Sequence, residues 1–530
     1  MEFRPLPPLL DQPTTASPRS SLRHFSGEAA MAKQALSWSE WAATDALGLA
    51  DLVAKKKISA KEVAAQAKSG IDAANPTLEA VLEVFEDVVA DPDTDGPAKD
   101  GAFYGVPLLL KDIGSGLKGR KQESGSKLLR GFVVAETDPL VANFLGGGLI
   151  PIGRSTTPEF GMTFDTTTSY LDKVITTRNP WNLRHTPGGS SGGSAAIVSA
   201  GVLPISMASD GGGSTRIPAS YCGLVGHKSS RGLVPRQIGG SDYQSRHVNE
   251  GVVTRTVRDT AAALDAIGHG PQGGFFVRVT PAVPSFLDAL KDVPKGWRIG
   301  LSTGPWGRPT PVDAQVAARI REVAKLLESL GHTVEEVKDE QVCDWTAMWR
   351  GYIAHWISSR MAHQGLARSR NVDAARIKDF MVPMVWRHFE AAQTYKLVDL
   401  MNAMNDNNVV TRAFGKLMDK YDMLLTPTLA IRVPEANGPY SLLRDEPLTG
   451  WMDRLADACR FTMPGNETGV PAISVPAGLD ADGLPIGAQL HGKFGRDDMV
   501  LRLAAQIETA KPEWFTQRPK NHIAAGTWTA

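Results

Sequence analysis

Two glycine- and serine-rich runs, Gly188-Gly189-Ser190-Ser191-Gly192-Gly193-Ser194 and Ser209-Asp210-Gly211-Gly212-Gly213-Ser214, lie 24 residues apart counted from Ser190 to Ser214. Between them, Ala195-Ala196-Ile197-Val198 reads as helix and Leu203 to Ala208 as a short strand. Glycine tolerates positive φ and close backbone approach, so each loop can turn its N–H groups toward one point. Converging N–H donors suit either a phosphate or the oxyanion of acyl transfer. A P-loop requires a lysine after its last glycine, and neither run has one. A dinucleotide fingerprint with an acidic residue about 20 positions on is also missing.

The flanking sequence supplies strands and helices in alternation. Val106-Pro107-Leu108-Leu109-Leu110 runs directly into Lys111-Asp112, and its unbroken apolar character suits a strand buried on both faces. Ser59 and Glu62 make a capping box for a helix carrying Val63, Ala67 and Ile71, which Asn75-Pro76 is expected to end. Residues 137–146 read as helix and Leu149 to Ile152 as strand. Trp297 to Leu301 precedes an amphipathic helix with Val316, Ile320, Val323, Leu327 and Leu330 on one face, and residues 423–425 and 472–475 add short apolar runs. This alternation predicts an α/β fold with a mixed, largely parallel central sheet covered by helices on both faces. No linker divides residues 37–530, which are expected to form one domain. Residues 1–36 are expected to be a disordered leader. Its first 30 residues are rich in Pro, Ser and Arg, Met31 opens a more ordered sequence, and a transit peptide is the minor alternative.

Composition narrows the function. Lys plus Arg equals Asp plus Glu at 57 each, so no global field draws nucleic acid or an anionic membrane. No apolar run reaches the length of a membrane-spanning helix. Three cysteines, Cys222, Cys343 and Cys459, form neither a disulfide framework nor a CxxC zinc site, which favours a cytoplasmic setting. Neither a metal nor a cofactor is expected.

Gly188 to Ser194, then Gly211 to Ser214 followed by Arg216 and Pro218, with Val106-Pro107 and Lys111-Asp112 upstream, resemble the amidase signature family. The likeness extends through Thr157 to Gly161, Thr177 to Trp181, Ser220 to Gly223 and Gly469 to Ala472, roughly residues 40–515 in all. The resemblance implies a serine amide hydrolase with Ser214 as nucleophile, Ser190 as proton relay after a cis peptide bond, and Lys111 as base. Backbone N–H groups of Gly211, Gly212, Gly213 and Ser214 would then form the oxyanion hole. It is strongest to bacterial members that cleave small synthetic amides, including cyclic nylon-oligomer amides, aryl amides and carbamates. The expected partner is therefore a small-molecule amide, without nucleic acid or membrane.

The chemistry fits these roles. A serine hydroxyl needs a neighbouring base, and a lysine serves only when desolvation lowers its pKa. Taken by itself, Lys111 could instead be solvated or paired with Asp112. Asp210 and Arg216 read as supports of the nucleophile loop, and Cys222 as a buried small residue. His227 stands where the family usually has leucine and leaves the local packing open. Two other functions share some features. Gly188 to Gly192 matches the G-x-S-x-G elbow of α/β-hydrolases, with Ser190 as nucleophile, but residues 179–187 read as loop where the elbow needs a strand. The A subunit of a tRNA-dependent amidotransferase shares the family motifs. Finally, Trp345, Trp349, Tyr352 and Trp356 fall at helical spacing, with Met381, Met384 and Trp386 following. The stripe faces either the core, a homodimer partner, or an apolar substrate pocket walled by Trp345 and Trp349.

Overall fold

The computed structural model describes residues 34–236, 246–270, 276–526 and 528. A three-stranded sheet is built from β1 (Val81–Val84), β2 (Pro107–Lys111) and β3 (Ile150–Ser155), in the order β1-β3-β2. A two-residue ladder joins β4 (Thr167–Thr168) to β5 (Ile175–Thr176). The main sheet uses β6 (Ile205–Asp210), β7 (Val225–Lys228), β8 (Asn249–Thr254), β9 (Arg298–Leu301), β10 (Thr333–Glu336), β11 (Met423–Pro427), β12 (Ala472–Leu479) and β13 (Pro485–His491). Its order is β10-β9-β11-β13-β12-β7-β8-β6. The small sheet abuts the large one where the Ser206 hydroxyl of β6 donates to the Leu109 carbonyl of β2 at 3.1 Å.

The expected α/β class and mixed sheet hold. The expectation of largely parallel pairing is corrected: in the main sheet only β10–β9 and β9–β11 run parallel, and the other ladders are antiparallel. An unbroken apolar run, such as Met423-Leu424-Leu425 in β11, reports burial on both faces but does not report direction. Direction comes from the connection. β12 and β13 are joined by a tight turn, in which Asp480 N–H donates to the Leu484 carbonyl at 2.8 Å, and such a turn only joins antiparallel strands.

The helix capped by Ser59 and Glu62 spans Ala60–Leu78 and so passes through Pro76. Pro76 lies in the last turn, where its missing N–H forfeits one hydrogen bond to the carbonyl four residues back and only two helical residues follow. The helix stops at Glu79, left-handed at φ 46°. There the Asn75 side chain accepts from the N–H groups of Ala80 and Val81, each at 2.8 Å. The expected leader falls outside the described residues for positions 1–33. Ala35 and Leu36 already pack on the main core, and Leu36 N–H donates to the Gln66 side chain at 3.0 Å.

The main core lies around the sheets and includes the wholly buried helix Gly192–Ser199. A second apolar cluster is built by the helices Trp345–Ser358, Pro383–Ala392 and Leu448–Cys459 together with Phe164, Ile217 and Met463. The glycine loop after β6 meets this cluster at Ile217 and Met463, and the candidate site lies there.

Candidate active site

β2 ends in Lys111, whose side chain is buried within the protein. Its ammonium nitrogen lies 2.7 Å from Ser190 Oγ and 2.9 Å from Ser209 Oγ. Asp112, the alternative partner, instead binds Arg154 at 2.7 Å and accepts from the N–H groups of Glu123 and Gly125. Lys111 therefore faces hydroxyls. Burial pulls its pKa down to about 7, against the opposing pull of the Asp210 and Glu250 charges. Among the described residues, Gly189–Ser190 is the one cis peptide bond. Gly161 must be glycine here: its φ is +65°, and a Cβ would sit 3.0 Å from Ser190 Oγ.

β6 delivers Ser209 and Asp210 to the second loop. Asp210 accepts from Gly213 N–H at 2.7 Å, from Asn466 Nδ2 at 2.8 Å, and from Arg216 Nε and Nη2 at 2.9 Å each. Burial alone would raise the Asp210 pKa. The Arg216 charge and these bonds outweigh it and hold the carboxyl well below the usual range. Asp210 and Arg216 thus brace the loop, as expected. Of the four N–H groups expected to converge, that of Gly213 donates to Asp210.

Ser214 and Gly212 border an apolar cavity of about 30 Å³, walled by Phe164, Ile217, Tyr352, Trp356, Met452 and Met463 among others. Among the described residues, no charged side chain lines it. That volume holds little more than a water, so any larger molecule bound there would have to displace wall side chains, of which the methionines adapt most readily.

Trp345 and Trp349 are not among the residues that line this cavity. Trp345 stacks on Trp306 with ring centroids 4.8 Å apart, and Trp349 Nε1 donates to the Trp306 carbonyl at 3.0 Å. The stripe is continuous along the helix, but its partner changes. The N-terminal half covers the Trp306 segment, while Tyr352 reaches the glycine loop and Trp356, one turn on, lines the cavity beside it. We expect Trp356→Ala to change the ratio of kcat/KM between bulky and small neutral amides. Trp349→Ala should leave that ratio intact and lower stability by about 3–5 kcal/mol, measured by denaturant titration.

Other sequence candidates lie outside the chemistry. Cys222 is buried, with Sγ 3.3 Å from the Pro187 carbonyl, and His227 Nε2 lies 3.2 Å from Asp497. Residues 179–189 hold turns and isolated bridges but no strand, so an elbow at Ser190 lacks its support. Among the described residues there is no group of side chains able to hold a metal, and no helix long and apolar enough to cross a membrane. Sequence reasoning missed Ser209, which shares Lys111, and Lys228, a second buried lysine with its pKa pulled to about 7, chiefly by burial. Alternation along β6 could have pointed to Ser209, while nothing local marks Lys228 as buried.

The family model described as Amidase matches residues 62–501. The chain is 31% identical to the 6-aminohexanoate-cyclic-dimer hydrolase of Paenarthrobacter ureafaciens over 503 residues, 90% of this chain and 96% of that protein. It is 33% identical to the A subunit of the glutamyl-tRNA(Gln) amidotransferase of Lactiplantibacillus plantarum over 498 residues, 89% of this chain and 96% of that protein. A solved structure of 6-aminohexanoate cyclic dimer hydrolase matches it with a TM-score of 0.82 at 29% identity, covering 91% of this chain and 99% of the other. By sequence over most of its length, and by backbone, the chain belongs to the amidase signature family of amide hydrolases.

Proposed function

We propose that the chain hydrolyses the carbon–nitrogen bond of a small, neutral, hydrophobic amide or carbamate through an acyl-enzyme on Ser214. Ser214 Oγ attacks the carbonyl carbon and passes its proton to Ser190, which passes its own to neutral Lys111. The N–H groups of Gly211, Gly212 and Ser214 stabilise the oxyanion. Collapse breaks the C–N bond, and the leaving amine takes the proton back along the same relay. Water then attacks the acyl ester with the relay working again as base. The observation that carries this reading is Lys111, buried against Ser190 at 2.7 Å with its pKa near neutrality. The uncharged wall beside Ser214 supports a hydrophobic substrate.

The amidotransferase relative favours a second reading, in which the site releases ammonia from glutamine. The wall argues against it, because glutamine carries an ammonium and a carboxylate that need charged partners. Glutaminase activity, with partner chains copurifying, would establish that second function.

A fluorophosphonate probe is expected to label Ser214 alone. With an anilide substrate, amine should appear in a burst ahead of acid whenever deacylation is slow. Label mapped to Ser190 would overturn the assignment.

A further inference from the structure

Besides its bracing carboxylate, the glycine loop is held by two side-chain hydroxyls. Tyr352 donates its hydroxyl proton to the Gly211 carbonyl at 3.0 Å, and Thr462 Oγ1 donates to the Gly212 carbonyl at 2.7 Å. The contact is close: a Cβ on Gly212 would lie 2.5 Å from the Tyr352 hydroxyl, and one on Gly213 would lie 2.5 Å from Thr462 Oγ1. The carbonyl of one residue and the N–H of the next point in opposite directions across a planar trans peptide. Fixing the Gly211 carbonyl therefore fixes the Gly212 N–H, and fixing the Gly212 carbonyl aims the Gly213 N–H at Asp210. We propose that Tyr352 and Thr462 are positioning residues which clamp these two peptide planes, so that the Gly212 N–H meets the oxyanion preorganised. This rests on the reading of Ser214 as nucleophile.

The clamp is itself rigid. The Tyr352 ring lies between His247, stacked at 5.0 Å and 13°, and Trp356, at 6.2 Å and 14°. Burial keeps the phenol protonated, so it remains a donor throughout the working pH range. Tyr352 also walls the cavity beside Ser214. Its ring thus contacts the acyl pocket while its hydroxyl sets the loop. An unclamped glycine run would have to freeze its peptide planes during the reaction, and preorganised donors avoid that reorganisation.

The test uses Tyr352→Phe and Thr462→Val, each assayed with a neutral anilide and with an aliphatic trifluoromethyl ketone, whose serine adduct carries the oxyanion. Each variant should lose about tenfold to a hundredfold in kcat with KM within about twofold, the pattern of an interaction that matters in the transition state. Affinity for the ketone should fall by the same factor, and Thr462→Ser should restore both. A purely structural role would lower kcat, KM-normalised rate and melting temperature together in both variants, without rescue by serine, and would overturn the clamp. Wild-type kcat and ketone affinity in both variants, beside an inactive Ser214→Ala, would overturn the clamp alone. Turnover surviving in Ser214→Ala would overturn the nucleophile reading, and the clamp with it.

Discussion

Ser214→Ala should retain its fold and lose amide hydrolysis by a factor on the order of 10⁴–10⁶, since members of a catalytic set act as a unit. The residue sits at the edge of an apolar cavity, follows a loop braced by Asp210, and is adjacent to the buried helix Arg216–Cys222. Removing one hydroxyl there leaves that bracing intact, so the melting temperature should scarcely move. The loss should fall on kcat, with substrate affinity preserved, because the wall that binds the acyl group is unchanged. Single-turnover kinetics read this directly: no amine burst, and no fluorophosphonate label. A folded Ser214→Ala protein turning over at a rate near wild type would remove Ser214 from the mechanism.

Much of this site was legible in the sequence because its pieces are local. The glycine loops announce themselves by composition, and the strand leading into Lys111 by its apolar run. Whether Lys111 was solvated, paired with Asp112 or aimed at a serine could not be read locally. That depends on Arg154, 42 residues away in β3, claiming Asp112. The destination of the Gly213 N–H is hidden for the same kind of reason: the acceptor, Asp210, is visible in the sequence, but its orientation is not. The tryptophan stripe shows the limit of periodicity. Spacing places Trp345, Trp349, Tyr352 and Trp356 along one side of a helix, yet does not say which half meets the glycine loop. Strand direction failed likewise, since burial on both faces is common to parallel and antiparallel central strands.

Lys111→Met is expected to lower hydrolysis by about 10³–10⁴, near the upper range of general base contributions. Its wild-type counterpart should show kcat/KM rising through neutral pH to a plateau, because only the neutral amine can accept the relay proton. The direction follows from burial, which brings the folded pKa from 10.5 to about 7. With an ordinary pKa, only about one lysine in several thousand would be neutral at pH 7, so burial supplies most of the base. The same shift makes a claim on stability that needs no substrate. Between about pH 7 and pH 10 the unfolded lysine binds a proton that the folded one does not, so this site's contribution to stability rises with pH by about 1.4 kcal/mol per unit. Below pH 7 both states are protonated, and the full cost of burying the charge is borne. Methionine has no such dependence. The free energy of unfolding of Lys111→Met minus that of wild type should therefore be most positive at pH 6 and fall steadily toward pH 10. Taking the difference cancels Lys228, which is buried in both proteins. A difference that stays flat across this window would mean that Lys111 keeps its proton at neutral pH, and the base would have to be sought elsewhere.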